Sequence, residues 1–177
     1  NIPLILNYSA NEKEERGFRL NLLSSAHLKR NNSSNILNFE GNDYKGVSLS
    51  GILNFYKNFK GFSFGGVHNI FTGEYYGFAS SVILNFIVGD FVGIALSGVS
   101  NMIKGSLEGI AISSCLNCAK TNGNIAIQIG LLTGIIEYNK EGFVLQFGIN
   151  NKIGDSLSPF LNARGFKNLI RMLRNFK

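Results

Sequence analysis

The spacing of glycine and asparagine constrains this chain more than any other feature. From Gly46 a nine-residue unit recurs as GVSLSGILN (46–54), GFSFGGVHN (61–69), GFASSVILN (77–85), GIALSGVSN (93–101) and GIAISSCLN (109–117). In all five, Gly precedes Asn by eight residues, and successive opening glycines lie 15, 16, 16 and 16 residues apart. A looser copy, NIAIQIGLL, starts at Asn124, and a closer one, GFVLQFGIN, runs from Gly142 to Asn150. A fixed period of this length marks a repeat architecture, in which each unit is stable only against its neighbours.

Inside a unit the period is two, as in a strand. Phe62 and Phe64 alternate with Gly61, Ser63 and Gly65, and Ile94 and Leu96 alternate with Gly93, Ala95 and Ser97. One face is bulky; the other is small and uncharged. Between units lie NIFTGEYYG, NFIVGDFVG and NMIKGSLEG, centred on Gly73, Gly89 and Gly105. Gly followed by Glu, Asp or Ser reads as a turn, because glycine reaches positive φ without steric cost.

These patterns predict an all-β fold: a repetitive antiparallel meander of about 10 strands closing into a barrel-like sheet, followed by a C-terminal amphipathic helix. Three-residue hairpin loops centred on Gly73 and Gly89 set Phe62 opposite Leu84 and Phe64 opposite Val82, so bulky side chains meet across strands. A parallel β-solenoid, stacking Asn on Asn and Gly on Gly, is the alternative. Residues 1–177 are read as a single β-repeat domain, with its clearest repeats over 46–150. Strands are expected over 1–9, 17–25 and 34–40, with polar turns at 12–16, 29–34 and 41–43.

Past Asn150 the repeat decays and the period changes. Over 165–176, Phe166, Leu169, Ile170 and Leu173 fall on one helical face, and Lys167, Arg171 and Arg174 on another. Such a helix packs on the sheet or plugs a barrel mouth, lies on an anionic lipid surface, or docks a partner. Lys167, Leu169, Arg171, Leu173 and Arg174 are therefore the candidate membrane or partner contacts.

Charge excludes one large class of function. The net charge is +6, which invites a nucleic-acid reading. Yet only Glu74, Asp90, Lys104 and Glu108 are charged between Gly61 and Ala119, and no Lys or Arg lies between Gly61 and Ile103. A phosphate-tracking face needs its cations on the ordered core. The uncharged strands also lack the wet face of a simple open sheet, so both faces are covered, the sheet closes, or one face meets lipid. No run of 18 apolar residues suggests a spanning helix.

No residue set points to catalysis, and the chain is read as non-enzymatic, without metal or cofactor. Cys115 and Cys118 form a CxxC, but Cys115 fills the slot of Val67, Ile83 and Val99, and Cys118 that of Ile70, Phe86 and Met102. Both are apolar slots, where free cysteine acts as a small hydrophobe. His27 and His68 have no triad or metal set around them, and Glu74 and Asp90 recur at turns rather than converging. The Asn slot (54, 69, 85, 101, 117, 150) needs a reason, since Asn is poor in strands. A bulge or side-chain hydrogen bond ending the paired region supplies one; a polar ladder recognising a ligand is another.

The residues resemble a known family, the surface repeat-containing proteins of spirochaetes such as Leptospira and Borrelia, whose units look like G-L-Q-I-G-L-V-N. Pro3-Leu4-Ile5-Leu6 and Gly17-Phe18-Arg19-Leu20-Asn21-Leu22 match its opening strands, NIAIQIGLL and GFVLQFGIN match its units best, and Pro159-Phe160-Leu161-Asn162 is similar to its closing segment. The middle of the chain departs from it, with Ser or Gly in the Gln slot, as does the basic C-terminal helix. The resemblance implies an exported, envelope-associated protein at the outer surface, outer membrane or periplasm, and implies no activity. The expected function is a structural or adhesion-type role with a protein or lipid partner and no nucleic acid; the alternative is a lipid-facing or lipid-binding β-barrel.

Overall fold

The computed structural model describes residues 15–21, 37–40 and 43–175. The strand expected at 1–9, the parts 22–25 and 34–36 of those expected at 17–25 and 34–40, the turn at 29–34 and His27 lie outside the described residues. The elements are β1 (Glu15–Asn21), β2 (Leu37–Glu40), β3 (Tyr44–Ser50), β4 (Leu53–Tyr56), β5 (Phe59–Gly65), β6 (His68–Phe71), β7 (Tyr75–Ser81) and β8 (Leu84–Ile87). Then follow β9 (Phe91–Ser97), β10 (Ser100–Ser113), β11 (Leu116–Ile129), β12 (Leu132–Glu137), β13 (Phe143–Ile153), β14 (Ser156–Arg164) and α1 (Phe166–Asn175). Of the expected turn at 12–16, Glu15 and Arg16 belong instead to β1.

The pairing is parallel, and the chain is a β-solenoid of about seven turns. The antiparallel meander and the barrel are both corrected: among the described residues only β13 and β14 pair antiparallel, and the sheet forms no barrel. Each repeat is one coil holding two strands, a long one opened by Gly and a short one centred on Asn. Long strands pair with long in the order β1-β3-β5-β7-β9-β10, and short with short in the order β2-β4-β6-β8-β10. Phe62 thus lies beside Phe78 rather than opposite Leu84. Register locks like to like: Gly46, Gly61, Gly77, Gly93 and Gly109 form one column, and Asn38, Asn54, Asn69, Asn85, Asn101 and Asn117 another.

The glycine column explains why the hairpin reading fails. Each of these five glycines has φ between 130° and 145°, a region L side chains rarely adopt. A Cβ on Gly77 would also sit on the carbonyl oxygen of Gly61. The long strands run on through these glycines, and the chain turns at the corners between strands so that it comes back over itself after one repeat. The expected hairpin centres do other work: Gly73 and Gly89 sit at a corner of the coil, and Gly105 lies inside β10.

The core settles which face of the long strand is inside. The small face points inward: Ser48, Ser63, Ala79, Ala95 and Ala111 are buried, because the Asn column of the short strands faces them across a narrow coil. Large side chains fill a second compartment, two residues before each Gly and two after each Asn. Tyr44, Phe59, Tyr75 and Phe91 stack at centroid distances of 5.3, 5.1 and 5.3 Å. Tyr56, Phe71, Ile87 and Ile103 stack beside them, with Phe71 edge-on to Tyr75 at 4.4 Å. Such ring pairs add about 0.5–1.5 kcal/mol each beyond their area burial.

The C-terminal end is closed differently. β14 turns back antiparallel on β13, carries Pro159, and holds Phe160 at φ 64°. Proline and a departure from regular strand geometry are how edge strands avoid pairing with another chain. The Gly165 carbonyl accepts the first backbone bonds of α1, from Asn168 and Leu169, and Arg174 in the last turn suits the helix dipole.

Candidate functional site

Two surfaces carry the candidate contacts: the outer face of the long strands and the helix α1. On each long strand the residues flanking the buried Ser or Ala point outward. Register assembles them into two columns: Val47, Phe62, Phe78, Ile94, Ile110 and Ile127, and beside it Leu49, Phe64, Ser80, Leu96, Ile112 and Ile129. Neither column holds a charge. Phe62 is 54% exposed, so this is an open apolar surface and not a core.

The coil has two unlike corners. Between long and short strand, at 51–52, 66–67, 82–83, 98–99 and 114–115, there is no charged residue, and Val82, Ile83 and Val99 are exposed. The turn backbone there is bonded coil to coil: Val67 N–H donates to the Ile52 carbonyl, Ile83 to Val67, Val99 to Ile83, and Cys115 to Val99. The charges gather at the other corner. There Asn58 donates to Asp43 (2.7 Å), the Glu74 N–H donates to Asn58 Oδ1 (2.8 Å) and the Ser106 N–H to Asp90 Oδ1 (2.7 Å). Asp90 is thus part of a row of turn caps, and Glu74 belongs to the same corner.

Five of the six Asn slots form a buried column inside paired strands, whereas Asn150 is exposed beside Leu132 and Asn151 takes the inward position. Asn54, Asn69, Asn85, Asn101 and Asn117 are fully buried. Each of the first four donates Nδ2 to the Oδ1 of the next, at 2.8–2.9 Å. The same Nδ2 caps a long-strand carbonyl of the next coil: Phe64, Ser80, Leu96 and Ile112 in turn. A buried amide left without partners would cost about 1–3 kcal/mol, so the column is stable only as a connected ladder. That is the job Asn does in a strand, in place of the expected bulge.

Among the remaining candidates, Cys115 is exposed at the uncharged corner and Cys118 half-buried on β11. Cys115 belongs to the corner turn and Cys118 to the strand that follows it, beside the inward Asn117. Burial pushes the Cys118 thiol up, away from the thiolate that nucleophilic chemistry needs. His68 is half-buried between Leu53 and Leu84 in its column. Among the described residues no group of three or more His, Cys, Asp and Glu could hold a metal ion, and no helix is long and apolar enough to cross a membrane.

On α1, Lys167, Arg171 and Arg174 are exposed and Leu169 is half-buried. Leu173 is 60% and Phe166 64% exposed, so the apolar stripe is largely uncovered. The helix is held at its first turn: Phe166 meets Phe143 edge-on at 6.4 Å, and Asn168 Nδ2 donates to the Lys140 and Gly142 carbonyls. The five candidate residues therefore share one short element, anchored beside the corner turn at 139–142. The alternation names the bulky face, and the structure turns it outward where the long strand faces the Asn column and only Ser or Ala fits inside. No family model, no curated protein and no solved structure matches this chain.

Proposed function

We propose that this chain is a non-enzymatic repeat protein of the bacterial envelope, acting through its surface in a structural or adhesion-type role. The observation that carries this reading is the contrast between an interior held by a connected amide ladder and two extended apolar columns on the outer sheet face. A contiguous apolar area of this kind marks an interaction surface. The resemblance of the opening segments and of the Gln-bearing units around Gln128 and Gln146 to the spirochaete repeat proteins supports an exported protein of that kind. Protease treatment of intact cells tests it: the expected result is loss of the protein without lysis. Full protection, with the protein in the cytosolic fraction, removes the envelope assignment.

A second role has its own observation. The uncovered apolar stripe of α1, flanked by Lys167, Arg171 and Arg174, suits the boundary of an anionic lipid surface. Vesicle flotation of the full chain should weaken in the Arg171→Glu/Arg174→Glu variant. Equal flotation of both proteins would rule the helix out as the contact.

A further inference from the structure

The outer face of the long strands fixes more than that a partner exists; it limits what that partner is. Its rows are set by the parallel pairing, so they recur at the strand spacing of roughly 4.8 Å for the length of the solenoid. About seven coils give a length near 34 Å. Five or six residues of strand and uncharged corner give a width of roughly 20 Å. The product, on the order of 700 Å² per copy, exceeds the ~300–600 Å² largest patch of an ordinary monomer. It approaches the ~800 Å² that each partner of a standard stable interface buries.

We infer that this face packs against the same face of a second copy of the chain, forming a two-fold, sheet-on-sheet dimer. Three observations choose this occupant. The row spacing of one solenoid is matched by another of the same spacing, and the identical chain supplies it without any further adjustment, so ridges of Phe62, Phe64, Ile94 and Ile112 enter the grooves between equivalent rows. The two apolar columns carry no charge, and the lysines on the same outward side, Lys45 and Lys60, stand at their edge in the first coils. The only charged residues from 61 to 103 are the carboxylates Glu74 and Asp90, which anionic headgroups would repel, whereas interfacial lipid binding favours cations beside the apolar surface. The chain's basic helix starts beside the corner turn at 139–142, at the opposite edge of the coil. A two-fold arrangement uses one patch on both copies and closes after two, leaving the charged corners in water.

The inference rests on the proposed surface role, because both use the outer face. Sedimentation velocity of the full chain across the micromolar range tests it. The expected result is a dimer, with the Phe62→Glu/Ile94→Glu variant weakened roughly tenfold or more in self-affinity while its circular dichroism is unchanged. The milder Ile94→Ser/Ile112→Ser variant, whose side chains are outward and cost little to the fold, should show a smaller loss in the same direction. Three outcomes overturn the dimer: a monomer at every concentration, a dimer that neither variant weakens, or a monomer that floats with phosphatidylethanolamine/phosphatidylglycerol vesicles through this face. A monomer that protease still removes from intact cells sinks the dimer alone. A dimer found in the cytosol sinks the envelope role alone.

Discussion

The coils before and after Asn122 solve one packing problem in opposite ways. In the earlier coils the buried amide belongs to the short strand and its neighbour on the long strand is small: Asn85 with Ala79, Asn101 with Ala95, Asn117 with Ala111. The amide reaches over and caps a long-strand carbonyl. In the later coils the amide moves to the long strand. Register sets Gln128 beside Ala111 and Thr133 beside Asn117. Gln128 and Gln146 now cap short-strand carbonyls, those of Gly134 and Lys152, and Gln146 donates to Gln128 at 2.7 Å. Thr133 keeps a remnant of the old column by donating to Asn151 Oδ1 at 2.7 Å. The coil therefore requires one connected amide column but does not specify which strand provides it.

The largest test of that idea is Asn85→Ala. It removes the acceptor of Asn69 and the donor to both Leu96 and Asn101, and should lower unfolding stability by about 3–4 kcal/mol in urea denaturation. A loss under ~1 kcal/mol would mean that water, not the ladder, satisfies these groups.

Gln128→Ala should cost less, about 2 kcal/mol, because its column has fewer members. The sharper experiment adds Thr133→Asn, which rebuilds the early-coil pair of amide and alanine in a late coil. The double variant should recover to within about 1 kcal/mol of the parent. Additive losses would show that the two solutions are not interchangeable.

High pH should separate the two regions by their other compartment. Burial holds the Tyr75 hydroxyl well above its usual range, although its bond to the backbone opposes the shift. The folded state therefore keeps this proton when the unfolded chain has lost it. The resulting stabilisation is complete below the ordinary tyrosine value near 10 and is lost as pH rises through the folded value. The later coils place Ile135 and Ile153 in the column that begins with Tyr56. Hydrogen exchange above pH 10 should thus accelerate around Tyr75 before it does around Ile153; the reverse order would detach the alkaline effect from this ring.

The smallest effect is expected at Ser81, whose buried hydroxyl finds no partner in the early coils. Ser81→Ala should be neutral or stabilising by up to ~1 kcal/mol in thermal melts. A clear loss would point to a hydrogen bond there.

Much of this was visible in the residues, and its limits were physical. The Gly and Asn spacing gave the columns and the repeat length, and the change of period at Gly165 gave the helix. Direction was not visible, because a 16-residue period suits a hairpin strand or a whole coil equally well; the positive φ of Gly77 and Gly93 decides it. Orientation is left open by the alternation alone. Phe62 and Phe64 are large, and large side chains are usually inside, but the inner volume was already allotted to Tyr75, Phe91 and the Asn ladder. Those aromatic columns stood beside Gly73 and Gly89, where they read as the ends of hairpin strands. On the candidate surface, the five helical positions followed from periodicity alone, whereas the outer face depended on knowing which side of the strand is in.

Because every amide from Asn54 to Asn101 hands its donor to the next coil, the unit of this fold is self-similar along its axis and has a front and a back. A gene that loses or duplicates 16 codons within that stretch would leave each junction chemically identical to the one it replaced. Length can therefore drift in whole coils under replication slippage without a new core being invented, and with it the extent of the surface the protein presents.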